Sequence, residues 1–232
     1  MTEKSKTLVD QILIQIQNSI ITGEIPAGSK INEQSIAKQY GISRGPTREA
    51  LQTLERQRLV VRAPHIGARV AQLTVKELNE LYQLRSVLEG MACELASNRI
   101  SQTEMQSLQA LLERQEQALV DGDHDFQQQS EIDFHYQIIQ ASDNRHLQET
   151  LTGSLYHLIR MYRFQTSGDE RPTSAIAEHR RIIDAIADGD GELANLLMRR
   201  HIERGRKNTE IKLIERQKQQ AAAESLLTIN NL

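Results

Sequence analysis

Cysteine, tryptophan and long apolar runs are nearly missing from this chain. Its 232 residues include one cysteine, Cys93, no tryptophan, and only 3% aromatic residues. A single cysteine cannot form an intrachain disulfide, which favours a reducing cytosol. No apolar run approaches the roughly 20 residues that span a bilayer, and the polar start "MTEKSKTLVDQ" has no signal-peptide core. We therefore expect a cytoplasmic, helix-rich protein with an aliphatic core and no membrane partner.

The signature motifs of several enzyme classes are also missing. The sequence has no P-loop, no dinucleotide-binding glycine fingerprint, no His-Glu-x-x-His pair and no Gly-x-Ser-x-Gly elbow. We therefore do not expect an enzyme. A metal-dependent hydrolytic enzyme on a helical bundle stays open as an alternative, because a bound metal can activate water. A purely architectural DNA binder is a third possibility.

Charge is unevenly distributed along the chain. Residues 1–74 contain 10 Lys and Arg against 6 Asp and Glu, a net charge of +4. Residues 75–232 contain 18 against 25, a net charge of −7. A basic first part and an acidic second part favour two domains with different partners.

The basic part carries the pattern of a winged helix-turn-helix. Apolar residues at spacings of three and four predict a helix over residues 6–22. Two short helices are predicted over 33–40 and 45–57, with Gly41 between them, which is a helix-turn-helix arrangement. Residues 58–73 contain two β-branched segments about a turn at 64–67, which predicts a small β-hairpin wing.

From Thr74 onward the periodicity is helical almost to the end. Thr74 with Glu77 three residues later is a capping-box pattern. Breaks are predicted near residue 101 and at residues 121–125, 142–144, 168–173 and 189–191. They divide the region into about six helices of roughly 15–25 residues. The fold class is therefore mainly α, with an antiparallel all-helical bundle after the winged helix.

We place the domain limits from these changes in pattern. Residues 1–74 form the winged helix-turn-helix domain, and residues 75–215 form the all-helical domain. Residues 216–232 are a tail that either extends the last helix or frays.

The second helix of a helix-turn-helix enters the major groove by its N-terminal end. Here that end is "SRGPTR", residues 43–48. Arg44 and Arg48 project from one side and carry donor forks that fit guanine or phosphate. Glycine lets the backbone come close, and hydroxyls can donate to phosphate. The alternative is an ordinary solvated surface helix. The candidate DNA contacts in this helix are Ser43, Arg44, Gly45, Thr47 and Arg48.

One carboxylate and three histidines have a spacing that suits a metal. Glu131 and His135 lie at i and i+4 on one predicted helix, and His179 and His201 lie on two later ones. In a bundle these four side chains can converge on one cation. The donor set suits Zn, Ni, Fe or Mn and does not choose among them. Scattered surface or hydrogen-bonded histidines remain the alternative from spacing alone.

Residues 6–72 resemble the DNA-binding domain of GntR-type bacterial transcription regulators. The resemblance is carried by Gly23…Pro26-Ala27-Gly28, Gly41-Ile42-Ser43-Arg44, Pro46, Arg48-Glu49-Ala50-Leu51, Leu54, Leu59-Val60 and Gly67. It implies that Ser43, Arg44, Gly45 and Arg48 contact an operator. It also implies a contact from Gln34 and a wing tip, with His65 and Gly67, that reaches the minor groove.

Residues 75–215 resemble the FCD ligand-binding domain of the FadR branch of that family. The matching segments are "ELYQLRSVLEGMACELA", "FHYQIIQASDNRHL" and "EHRRIIDAIADGDGELANLLMRRHI". The resemblance implies a divalent metal held by Glu131, His135, His179 and His201, with Glu131 where the family has Asp. It also implies that Arg85 faces the pocket, where its fork suits an organic acid. The alternative for Arg85 is an intrahelical pair with Glu89.

Arg160 and Arg163 in "HLIRMYRFQ" are further effector candidates, and a surface or helix-seam position is their alternative. The sequence as a whole predicts a transcription regulator, by default a repressor. We expect it to bind a palindromic operator as a homodimer. A small carboxylate metabolite bound in the metal-containing pocket would release or modulate that binding.

Overall fold

A computed structural model describes residues 7–63, 67–166 and 174–229. These residues form ten helices and one two-stranded antiparallel sheet. They divide into two compact units, one containing the residues up to Leu73 together with Gly153–Gln165, the other Thr74–Thr152 and the residues from Thr166 onward. Nothing in the sequence indicated that Gly153–Gln165 groups with the first unit. Among the described helices, none has an apolar stretch sufficient to cross a membrane.

The first unit contains the predicted winged helix-turn-helix. Its elements are α1 Leu8–Thr22, α2 Glu33–Gln39, α3 Arg44–Arg56, β1 Val60–Ala63 and β2 Gly67–Val70. Helix α1 starts at a capping box made by Thr7 and Asp10 and ends at Gly23, whose φ of 87° is a left-handed cap. Helix α3 packs on α1, α2 and β1 through a buried stripe of Ala50, Leu51 and Leu54.

Helix α8, Ser154–Thr166, contributes the second segment of this unit. The side-chain amide of Gln165 donates to the carbonyl of Ile20 at 2.7 Å. The amide nitrogen of Gln17 lies 3.4 Å from Nε2 of His157 and donates to Gln57 at 2.8 Å. These polar contacts link α8 to α1 inside the first unit.

The second unit is the helical bundle. Its helices are α4 Val75–Arg99, α5 Gln102–Asp121, α6 His124–Ala141, α7 Arg145–Thr152, α9 Ser174–Ala187 and α10 Gly191–Ile229. Helix α4 packs on α6, α9 and α10, and α5 packs on α6 and α9. The hydroxyl of Thr74 accepts the backbone N–H of Glu77 at 3.1 Å, so the predicted start of α4 is confirmed.

Three expectations about the bundle region can be compared with the described residues. The sequence predicted about six helices, but the described residues after Thr74 form seven, because Gly153 separates α7 from α8. The predicted break at 168–173 lies outside the described residues. The tail after residue 215 extends α10 as far as Ile229.

Helices α4 and α10 approach each other closely. A Cβ atom on Gly90 would lie 2.6 Å from Oδ1 of Asn195, and one on Gly191 would lie 2.8 Å from Oγ of Ser97. A larger residue at either position would require Asn195 or Ser97 to move, and the pairing of residue 90 with 195 and of 97 with 191 shows that the two helices run antiparallel. Several apolar side chains on these two helices are exposed, three on α4 at spacings of three and four residues and two on α10 three residues apart. They are Leu84, Val87, Met91, Leu193 and Leu196.

Candidate functional site

Three helices of the bundle bring the four predicted metal ligands together. Helix α6 contributes Glu131 and His135, α9 contributes His179, and α10 contributes His201. All four side chains are buried, and one ligand atom from each lies within 4.8 Å of the others. The cluster can therefore hold a divalent cation.

The Nε2 atoms of the three histidines surround the carboxylate of Glu131. The Nε2 atoms of His201, His135 and His179 lie 3.5, 3.7 and 3.9 Å from its nearer oxygens. Four ligands at about 2.1 Å from one tetrahedral ion are about 3.4 Å apart. The separations from Glu131 are near that spacing, whereas the four ligand atoms together lie within 4.8 Å and would draw closer around an ion. Glu131 can therefore provide a ligand here although it is longer than Asp.

An oxygen atom that can accept a hydrogen bond lies close to Nδ1 of each histidine. Nδ1 of His135 lies 2.5 Å from Oε2 of Glu89. Nδ1 of His179 lies 3.0 Å from Oε1 of Gln115, and Nδ1 of His201 lies 2.9 Å from Oε2 of Glu178. Carboxylate and amide oxygens only accept hydrogen bonds, so the hydrogen bonds of His179 and His201 place the proton on Nδ1. At His135 the two atoms are close but not aligned as a hydrogen bond, and the carboxylate favours a proton on Nδ1 by its charge. These outer partners favour Nε2 lone pairs that face the cluster.

Converging lone pairs are the chemical evidence for a cation site. Nε2 of His201 lies 3.3 Å from Nε2 of His135. Two acceptor nitrogens at that distance repel each other unless a proton or a cation lies between them. An outer acceptor on each metal-binding histidine is the usual arrangement in protein metal sites. The ring of Phe134, stacked on His179 at 3.8 Å and 16°, fixes the plane of that imidazole.

Arg85 lies next to this cluster and is paired with Glu89. Its Nε donates to Oε1 of Glu89 at 2.6 Å, so the predicted intrahelical pair is present. Both side chains are buried. Burial opposes ionisation of Glu89, but the charge of Arg85 and the nearby Nδ1 of His135 hold its pKa down at about 2. This bond uses Nε and neither of the two terminal nitrogens of the guanidinium. A role for Arg85 in binding an acid stays a prediction.

Arg160 and Arg163 lie on α8, in the first unit. The guanidinium of Arg160 lies over the rings of Tyr156 and Phe164, 5.6 and 5.7 Å from their centroids. The neighbouring His157 is partly buried, and burial together with the charge of Arg160 lowers its pKa to about 4. A role for Arg160 and Arg163 in effector binding stays a prediction.

The N-terminal end of α3 is exposed and open. Ser43 is the N-cap residue, and its side chain makes no capping hydrogen bond. Ser43, Arg44 and Gly45 are all exposed. A Cβ atom on Gly45 would meet nothing within 4 Å, so packing does not require glycine there. This end of the helix has unpaired backbone donors and nearby positive charge, which suit a phosphate.

The other predicted DNA contacts differ in their surroundings. Gln34 is exposed on α2. Arg48 is 63% exposed, and its Nε lies 3.0 Å from Oε2 of Glu33. Thr47 is fully buried and its hydroxyl donates to the carbonyl of Ser43 at 3.0 Å, so that hydroxyl is not presented to a phosphate. Gly67 starts β2 with a φ of 82°, which itself favours glycine. His65 lies outside the described residues.

The sequence reasoning overlooked several residues around these sites. Glu33 pairs with Arg48 and also lies 3.7 Å from Arg62 of β1. Around the histidine cluster, Glu178 directly precedes His179 in the sequence, which could have drawn attention to it. Gln115 lies on α5, far from the ligands in sequence, and no pattern marks it.

Comparisons with known proteins agree with this architecture. Residues 8–70 match the family described as bacterial regulatory proteins, gntR family, and residues 80–204 match the FCD domain. An HTH-type transcriptional regulator of Bacillus subtilis, YdhC, is 33% identical over 79% of this chain and 83% of its own length. A probable D-xylose utilization operon transcriptional repressor of Paenarthrobacter nicotinovorans is 30% identical over 84% and 86%.

Solved structures share the fold. McbR/YncC of E. coli superposes with a TM-score of 0.74 at 23% identity, covering 90% of this chain and 98% of its own. A winged helix with an exposed, basic helix end thus precedes a bundle with a buried Glu–His cluster that could hold a metal. The chain belongs to the gntR family of bacterial transcription regulators, with an FCD domain that binds small molecules after its DNA-binding domain.

Proposed function

We propose that this protein is a cytoplasmic repressor of the FadR branch that binds a palindromic operator as a homodimer. A small carboxylic acid, bound in the bundle beside a divalent metal, modulates that binding. The observation that carries the DNA-binding part is the open end of α3. Gly45 is needed neither for packing nor for a left-handed backbone, and Ser43 leaves its hydroxyl unused for capping. Both features suit close approach of a nucleic-acid backbone.

Arg44 and Arg48 supply the base or phosphate contacts beside this helix end. Exposed Gln34 on the preceding helix supports a further contact. The wing, with Gly67 and His65, is the element suited to the minor groove. Thr47 is left out of the proposed contact set because its side chain is buried. Phosphate contacts provide much of the attraction, so affinity falls steeply with salt.

A homodimer follows from the geometry of operator reading. One winged helix covers one half-site, and two-fold symmetry doubles the contacts and fixes their spacing. The outward apolar face of α4 and α10, defined by Leu84, Val87, Met91, Leu193 and Leu196, supports pairing with a second copy. Five exposed aliphatic side chains on adjacent helices form the kind of patch that marks an interface.

Glu131, His135, His179 and His201 hold the metal in this proposal. A divalent ion at this position supplies a positive charge and open coordination positions that attract a carboxylate oxygen. The terminal nitrogens of Arg85 bind the other end of the acid. The acid can alter operator affinity only by the difference in its affinity for the two states of the regulator.

The test is operator binding by the full-length protein, on its own upstream DNA or on a sequence selected from a random pool. Arg44→Ala is expected to weaken binding by about 1–3 kcal/mol per half-site. Arg56→Ala, an exposed arginine at the opposite end of α3, is the matched control and is expected to bind nearly normally. Equal affinity of Arg44→Ala and the unmodified protein would refute the assignment of α3.

A further inference from the structure

Glu89 is the one acidic residue that contacts both Arg85 and a histidine of the cluster among the described contacts. One carboxylate oxygen accepts from Nε of Arg85 at 2.6 Å, and the other lies 2.5 Å from Nδ1 of His135. All three side chains are buried. The carboxylate therefore connects the candidate acid-binding arginine to a candidate metal ligand with no solvent between them.

Stability alone does not explain a buried pair of this kind. An exposed arginine–glutamate pair at i and i+4 contributes about 0.3–0.5 kcal/mol. Burying the two charges costs desolvation energy that the pair by itself often fails to recover. The additional contact with His135 gives the carboxylate a second role, since a negative charge 2.5 Å from Nδ1 favours the form of that histidine that is protonated there.

The other two histidines provide an internal comparison. His179 faces the neutral amide of Gln115. His201 faces Glu178, which also pairs with Arg204, but the side chain of Arg204 is 53% exposed and that of Glu178 15%. Arg85 and Glu89 are 4% and 3% exposed. Water can replace a lost partner at Glu178 more easily than at Glu89, so the Glu89 contact has the larger effect.

We propose that Arg85 and Glu89 act together as a positioning pair for His135 and thereby tie metal binding to the arginine that binds the acid. The proposal rests on the metal site of the proposed function. Arg85 orients Glu89 through Nε, and Glu89 holds His135 with Nε2 toward the metal. An acid that binds the terminal nitrogens of Arg85 therefore contacts a side chain on which the geometry of a metal ligand depends.

The experiment measures Zn²⁺ affinity of the full-length protein by competition with a chromogenic chelator. Glu89→Gln keeps the shape of the side chain and is expected to weaken Zn²⁺ binding about 10- to 100-fold. Glu178→Gln is expected to weaken it less. Glu80→Gln removes an exposed carboxylate of the same helix and is expected to leave it unchanged.

A double-mutant cycle tests whether the two residues act as a pair. Arg85→Met is expected to weaken Zn²⁺ binding, and adding it to Glu89→Gln is expected to cause no further loss. Independent, multiplicative losses would overturn the proposal. Arg85→Lys replaces Arg85→Met in the cycle if the latter does not fold, as judged by circular dichroism.

A spectroscopic measurement separates positioning from general structural damage. Long-range proton–nitrogen correlation in the metal-free protein is expected to show His135 protonated at Nδ1, and a mixture of both forms in Glu89→Ala. Unchanged Zn²⁺ affinity in Glu89→Gln would overturn the pair and leave the metal site standing. Failure of the unmodified protein to bind Zn²⁺, Ni²⁺ or Mn²⁺ would instead refute the metal site and, with it, the pair.

Discussion

Replacement of two histidines of the cluster gives a quantitative test of the metal site. His179→Ala with His201→Ala removes two of the four converging ligands and leaves Glu131 and His135. A ligand present at 100 times its dissociation constant stabilises the native state by about 2.7 kcal/mol. One kcal/mol shifts the melting temperature of a protein of this size by about 2–4 °C. Loss of the metal is therefore expected to lower it by about 5–11 °C.

The assay compares thermal melting with and without a chelator. The melting temperature of the metal-loaded unmodified protein is expected to fall by that amount when the chelator is added. The double variant is expected to melt low under both conditions and to contain no metal by mass spectrometry. Each tenfold increase of free metal is expected to add about 1.4 kcal/mol of stability to the unmodified protein only.

The control variant changes a histidine outside the cluster. His146 is exposed on α7, and His146→Ala is expected to keep the full response to the chelator. His179 and His201 do not bind the ion if the double variant retains metal, or if the chelator lowers its melting temperature as much as that of the unmodified protein.

Three further predictions concern the other surfaces. Glu33→Gln frees Arg48 and Arg62 from a carboxylate and is expected to raise DNA affinity by up to about fivefold, the upper range of an exposed ion pair; unchanged binding in a gel-shift titration would contradict this. Folding lowers the pKa of His157 from 6.5 to about 4, so between these pH values the unfolded chain binds a proton that the folded protein does not. The free energy of unfolding is therefore highest above pH 6.5 and decreases as pH falls towards 4. At pH 5 the decrease in the free energy of unfolding is about 1–2 kcal/mol after solvent screening. In urea denaturation, the free energy of unfolding of His157→Gln is expected to decrease less between pH 7.5 and 5 than that of the unmodified protein. Leu196→Glu is expected to shift the protein to monomer in analytical ultracentrifugation, whereas Val120→Glu, at an isolated position that is 81% exposed, is not; an unchanged dimer would move the interface elsewhere.

Local signals predicted most helix limits in this protein. Gly23 ends α1 in a left-handed conformation, and Thr74 caps α4, because both effects depend on residues within a few positions. The end of α7 was missed for the opposite reason. Leu147, Leu151 and Leu155 continue one apolar stripe across Gly153, so the periodicity gives no sign that the helix is interrupted.

The burial of Thr47 could have been predicted. Leu51 and Leu54 form the inner stripe of α3, and a position four residues before Leu51 lies on the same face. The hydroxyl tolerates burial because it donates to the carbonyl of Ser43, four residues earlier. A hydroxyl residue near the start of a DNA-contacting helix can therefore reach a phosphate only if it lies on the exposed face of that helix.

The metal cluster was only partly accessible from spacing. Glu131 and His135 share a face at i and i+4, but the approach of His179 and His201 depends on how α6, α9 and α10 pack. Resemblance to the family supplied that information. The acceptor of His179 is Gln115, 64 residues away, and only the tertiary structure reveals such a contact.

The unused hydroxyl of Ser43 has a consequence for the free regulator. A capped helix start is more stable than an uncapped one by about 1 kcal/mol, so the first turn of α3 is left incomplete until an acceptor arrives. A phosphate oxygen in that position would accept the backbone hydrogen bonds of the first turn that the Ser43 side chain does not accept. Ordering of the reading helix and docking on the operator would then be one event, and amide exchange at residues 44 and 45 would slow when DNA binds.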